Sequence, residues 1–130
     1  MNFLLFLGVF ISGGAGAWLR FTLDGAAKKT TLGQRIPLGT FLINFTGSFL
    51  LGALTGATGM LAGLFGDDIV HTFVLLAGTG FLGGFTTFST AMVDAVTAAS
   101  ARRPGVFIFA WLAQAILCIV AAALGMGLTA

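Results

Sequence analysis

Gly78-Thr79-Gly80-Phe81-Leu82-Gly83-Gly84-Phe85-Thr86-Thr87-Phe88-Ser89-Thr90 sits at the centre of an apolar segment running from about residue 70 to residue 98. A segment of that length spans a bilayer with some tilt. Its centre is nevertheless the part least suited to helix. Four glycines fall within seven residues, and a Thr-Thr-Phe-Ser-Thr run follows. Each interior Gly costs about 1 kcal/mol relative to Ala. The hydroxyls offer the backbone competing hydrogen bonds. The stretch therefore predicts a membrane helix that breaks near the bilayer midplane. N–H and C=O groups freed at that depth must be buried in protein, coordinate an ion or line a wet cavity. The competing expectation is an unbroken Gly-rich helix in close contact with a neighbour, as small residues make in membranes.

The rest of the chain supports a membrane setting. Of its 130 residues 58% are apolar and only 8% charged, against about 25% charged in a soluble domain. Such a chain cannot cover a water-facing surface, and its length suits a single domain. The net charge of +2 rests on few ionisable groups. Without a basic patch interleaved with aromatics it gives no nucleic-acid signal. One cysteine, Cys118, excludes an intrachain disulfide and a thiolate metal cluster. Met1-Asn2-Phe3 runs straight into apolar sequence without a basic n-region, so the first segment reads as a span and not a removed signal peptide.

Four spans are expected, at about 3–23, 38–65, 70–98 and 106–128. The first has a small-residue centre, Gly13 to Ala17, and Arg20 in its last turn. Arg20 reads equally as a snorkelling side chain and as a functional one. Pro37 suits the first turn of the second span. Along that span Thr40, Asn44, Ser48, Gly52 and Gly56 recur every four residues, on one face. Such a stripe packs against protein, lines a pore, or does both. In the third span Thr87, Thr90, Asp94 and Thr97 share a face, with Asp94 near the membrane surface. Gln114 and Cys118 make a weaker polar track in the fourth. The connections 24–36 and 99–105 hold Lys28, Lys29, Arg35, Arg102 and Arg103; the opposite side holds no Lys or Arg. The positive-inside rule puts the basic connections in the cytoplasm and both termini outside. The expected location is the cell (inner or plasma) membrane, crossed several times.

Four spans make a thin bundle for a broken helix and several polar stripes, so oligomerisation is the economical expectation. Carbonyls at the break would then suit a hard cation. Catalysis has little to work with: there is no spanning His, no carboxylate pair at depth and no Gly-Lys phosphate loop. The chain reads as no enzyme. The remaining polar groups are neutral donors: the Asn44 amide, the hydroxyls of Thr40, Ser48, Thr87, Ser89 and Thr90, and Gln114. Phe88 adds a ring whose positive edge can touch an anion, and Arg20 stands near one end. Together they favour an anion over a cation.

Three motifs resemble the CrcB/Fluc family of fluoride channels. They are Gly13-Gly14 with Gly16 and Arg20, then Pro37-x-Gly39-Thr40-x3-Asn44, then Gly83-Gly84-x-Thr86-Thr87-Phe88-Ser89-Thr90. Length, span count and motif order agree over essentially the whole chain. The resemblance implies an all-α membrane protein with four spans, assembled as an antiparallel dimer whose two pores export fluoride passively. It implies a structural Na+ at the dimer interface, held by the backbone carbonyls of Gly83 and Thr86. It implies pore roles for Asn44 and Phe88, a vestibule role for Arg20, and an acid at the position of Asp94. Gln114 and Cys118 stand where the family often has small hydroxyl residues.

Two departures stand out. The family pattern continues Thr-Thr-Phe-Ser-Thr-Phe, whereas this chain has Ala91, so either Phe85 or another ring substitutes or one pore is impaired. The Lys/Arg bias favours one orientation, which leaves two pairings open: a homodimer, or a heterodimer with a homologue of opposite orientation. The alternatives in function are a dual-topology transporter of another small solute and a partner subunit of a heterodimeric channel.

Overall fold

The computed structural model describes residues 3–130; Met1 and Asn2, read above as the run-in to the first span, lie outside the described residues. Four helical segments are long and apolar enough to cross a bilayer: Phe3–Ala27, Leu38–Phe65, Asp67–Ser100 and Pro104–Thr129. No strand occurs among the described residues. The first span runs one turn further than expected. The third begins at Asp67, where Gly66 with φ 88° permits the sharp turn that Asp67 and Asp68 follow. Two carboxylates in that first turn sit favourably at the positive end of the helix dipole.

The third span is broken, as expected, but not at the glycines. Leu75–Leu82 stays helical in the wider π form, and Gly83–Phe85 completes the leading half. The chain leaves helix at Thr86 (φ −77°, ψ 161°) and Thr87 (φ −151°, ψ 123°). It re-enters at Phe88, and the second half runs Phe88–Ser100. The glycines serve contact. A methyl on Gly84 would overlap the Gly13 carbonyl, and one on Gly16 would overlap the Phe81 carbonyl. The first span thus lies backbone to backbone on the leading half of the third. The expected break is present at the threonines; of the competing expectation, the unbroken helix fails and only the close packing at the glycines is found.

The second span packs most extensively along the fourth. Its stripe of five residues divides between two neighbours. Gly52 and Gly56 admit the backbone of the fourth span at Ala122 and Met126, while Asn44 meets the third span at Thr87, and Gly47 beside the stripe admits Thr86 and Phe85. Thr129 seals the far end by donating from Oγ1 to the Ala53 carbonyl at 2.8 Å. Ile43, Leu82 and Phe85 form the buried cluster beside the break. Phe85 is stacked on Phe81 with centroids 6.1 Å apart. Its ring is held in the core, so it does not replace the ring missing at Ala91.

Candidate functional site

Asn44 fixes the break. Its Nδ2 donates to the Thr87 carbonyl at 2.8 Å, and the Thr87 N–H donates to its Oδ1 at 2.7 Å. The amide thereby supplies both partners that an extended Thr87 would otherwise lack. Such groups left unpaired in an apolar interior cost about 1–3 kcal/mol each. Asn44 is only 9% exposed, and this pair of bonds sets which way its amide points. One amide hydrogen remains for another acceptor.

Thr87 then starts the second half-helix. Its Oγ1 accepts from the Thr90 N–H at 3.2 Å and donates to the Thr90 hydroxyl at 3.0 Å; Ser89 Oγ lies 3.3 Å away. A threonine N-cap is worth about 1 kcal/mol. The N–H groups of Phe88 and Ser89 have no partner within their own helix, and the positive end of its dipole lies there. These two diversions have a consequence for the carbonyls. The Thr87 N–H, the helical partner of the Gly83 carbonyl, goes to Asn44; the Thr90 N–H, that of Thr86, goes to Thr87 Oγ1. Gly83 and Thr86, the residues expected to hold a cation, are thus left with carbonyl oxygens lacking their i+4 donors. Oxygen of this kind suits a hard cation.

A groove of about 560 Å³ runs beside the break. It gathers Asn44, Ser48, Gly83, Thr86, Thr87, Phe88, Gln114 and Cys118 from three spans. No Asp, Glu, Lys or Arg lines it. Phe88 stands 78% exposed at its edge. Trp111, which the sequence reading missed, supplies a second ring to the lining from the fourth span. The signal was available: Trp111 precedes Gln114 by three residues and shares its face. Trp111 also belongs to a second π-helical turn, Phe109–Ala113, and both π segments border the groove; such turns are frequent at functional sites. Gln114 is 4% exposed and its Oε1 has no partner among the described residues. Cys118 and Ser48 both line the groove.

Not every candidate faces this groove. Arg20, Thr40, Thr87 and Thr90 line a smaller cavity of about 160 Å³ together with Asp24. Thr87 lies on both, so it joins the groove to this cavity. A third cavity, also about 160 Å³, opens at the basic end and is lined by Asp24, Lys28, Arg35, Thr40, Asp94 and Arg103. Asp94 accepts from Thr40 Oγ1 at 2.7 Å, which ties the second half-helix to the second span. Ser89 is exposed. A polar trail thus leads from the basic connections through Thr40 to the break and into the groove.

The family model described as "CrcB-like protein, Camphor Resistance (CrcB)" matches residues 7–126. The chain is 38% identical over 128 residues to a fluoride-specific ion channel FluC 1 from Leifsonia xyli, covering 98% of this chain and 88% of the relative. It is 41% identical over 113 residues to a FluC 2 from Bacillus cereus, covering 87% and 86%. A FluC 2 from Cutibacterium acnes is 40% identical over 122 residues, 94% of each chain.

Proposed function

The chain belongs to the CrcB-like family, and from that premise we propose that it is a fluoride-selective ion channel, exporting F⁻ passively from the cytoplasm. It is a multi-pass membrane protein and not an enzyme. One observation carries the route: at the mid-span break a helix N-terminus, capped by Thr87 only at the Thr90 N–H, meets a groove with donors, ring edges and no charged side chain. Fluoride is small and strongly hydrated, so its water must be replaced by good donors. The Phe88 and Ser89 N–H groups, the spare Asn44 hydrogen and the hydroxyls of Ser48 and Thr90 supply them. The positive edge of Phe88 contributes without offering a competing acceptor. Arg20 faces the approach from the basic end. A cation would meet positive dipole ends here and gain little.

A second chain of opposite orientation, this one's copy or a homologue, completes the groove. One chain leaves Phe88 and Trp111 exposed at its rim, which supports an antiparallel dimer with two pores. The Gly83 and Thr86 carbonyls suit a structural Na+ at that interface, with two oxygens offered by each copy. Bound there, the ion would neutralise carbonyl dipoles that the break leaves without donors. The charge bias supports a fixed orientation and so a heterodimer with a homologue of opposite orientation. A protease-cleavable tag on the C-terminus is expected on one face of the membrane only; equal cleavage from both faces would restore the homodimer.

Function is tested with purified protein in liposomes loaded with fluoride or chloride, an electrode following release. Fast fluoride release without chloride release is expected. Phe88→Ile removes the ring edge while keeping the bulk, and is expected to cut fluoride release at least tenfold with folding unchanged. Release of both halides alike, or of neither, would refute the assignment.

A further inference from the structure

The approach to the break carries both signs of charge: Lys28, Arg35 and Arg103 line its outer cavity and Arg20 its inner one, beside the carboxylates of Asp24 and Asp94. Asp24 and Thr40 line both 160 Å³ cavities, so they mark the junction between them. Thr40 in turn holds Asp94 by the 2.7 Å hydrogen bond. Gly39 leaves room for the Asp24 carboxylate, because a methyl there would overlap Asp24 Oδ1. Two carboxylates therefore flank the step from the basic end to Arg20 and the break. Unopposed, each would repel an entering anion.

Lys28 answers both. Its Nζ lies 2.6 Å from Asp24 Oδ2, one turn along the first helix. Its charge is held firm, chiefly by the hydrogen bond to Asp24; burial acts against this, while the fields of Asp24 and Asp94 add to it. Asp24 is only 18% exposed and Lys28 63%, so Lys28 caps the carboxylate from the solvent side. Arg20, Asp24 and Lys28 follow one another at intervals of four, which stacks them along a single helical face.

We propose that Lys28 is the counter-charge that admits anions past Asp24 and Asp94, and so sets the rate of entry from the basic end. Lys28 touches neither the break nor the groove; it acts through the carboxylates it neutralises. The proposal rests on the fluoride-channel reading and adds an entrance to it.

The test is fluoride release from liposomes holding the full-length protein, at low and at high ionic strength. Lys28→Gln exposes a carboxylate charge several ångströms from the path, and is expected to slow release about tenfold at low ionic strength. The deficit should shrink toward nothing near 1 M salt, where screening reaches only about 3 Å. A purely structural loss would not follow salt in this way. Lys28→Arg should retain wild-type release, and Asp24→Asn placed in the Lys28→Gln background should restore most of it. Unchanged release by Lys28→Gln in low salt, or a double variant as slow as the single, overturns the proposal while leaving the channel intact. A wild-type protein without fluoride release overturns the channel reading and this proposal together.

Discussion

Asn44→Ala is expected to abolish fluoride release and to lower stability by about 2–6 kcal/mol. The figure follows from two buried backbone groups, the Thr87 N–H and carbonyl, each left without a partner at about 1–3 kcal/mol. Without them the extended Thr87 has no reason to persist, and the span can close into continuous helix. Asn44→Asp separates the structural from the electrical contribution. A carboxylate still accepts from the Thr87 N–H, so part of the lock survives. It donates nothing to the Thr87 carbonyl, and it places a negative charge beside the path. Release should fall about 100-fold on charge grounds alone. Thermal denaturation in detergent, run alongside the flux assay, checks both. Asn44→Ala with wild-type release and wild-type melting would remove Asn44 from the site.

Gly84→Ala is the second large effect, and it acts on packing. The added methyl meets the Gly13 carbonyl, which belongs to a helix backbone and cannot rotate aside as a side chain does. Overpacking of this kind costs about 1–3 kcal/mol, so the melting temperature should fall clearly. Gly14→Ala is the control. Nothing lies within 4 Å of a methyl at Gly14, and exchange of Gly for Ala in a helix interior favours the folded helix by about 1 kcal/mol. Equal losses from the two substitutions would show that the first and third spans do not meet as described.

Much of this arrangement was legible in the sequence because hydropathy alone dictates it. Apolar runs of span length, few charges and one cysteine leave four membrane helices as the only economical fold. The break was legible to the stretch Gly78–Thr90 but not to the residue. Intrinsic propensity marked the glycines and the hydroxyl run alike, yet a membrane-buried backbone has no water to turn to, so glycines stay helical wherever a neighbour packs on them. Thr86 and Thr87 unwind because a side chain from another span replaces the lost bonds. That replacement is a tertiary fact, and the second span's stripe showed only that Asn44 faced protein or a pore. Trp111 escaped notice because only the polar residues of the fourth span were weighed, and Asp24 escaped because nothing local marks it as the junction of two cavities. Phe85 was open as a substitute for the ring absent at Ala91, until Gly47 and Phe81 placed it in the core.

The central claim is that the unwound step at Thr86 and Thr87 presents backbone donors to fluoride. It is tested most directly by following the amide nitrogen resonances of Phe88 and Ser89, with the Asn44 side-chain amide, in lipid nanodiscs as fluoride or chloride is added. Fluoride should move these three signals most, and chloride at equal concentration should leave them in place. Identical responses to both halides, or fluoride-specific shifts confined to other residues, would contradict it.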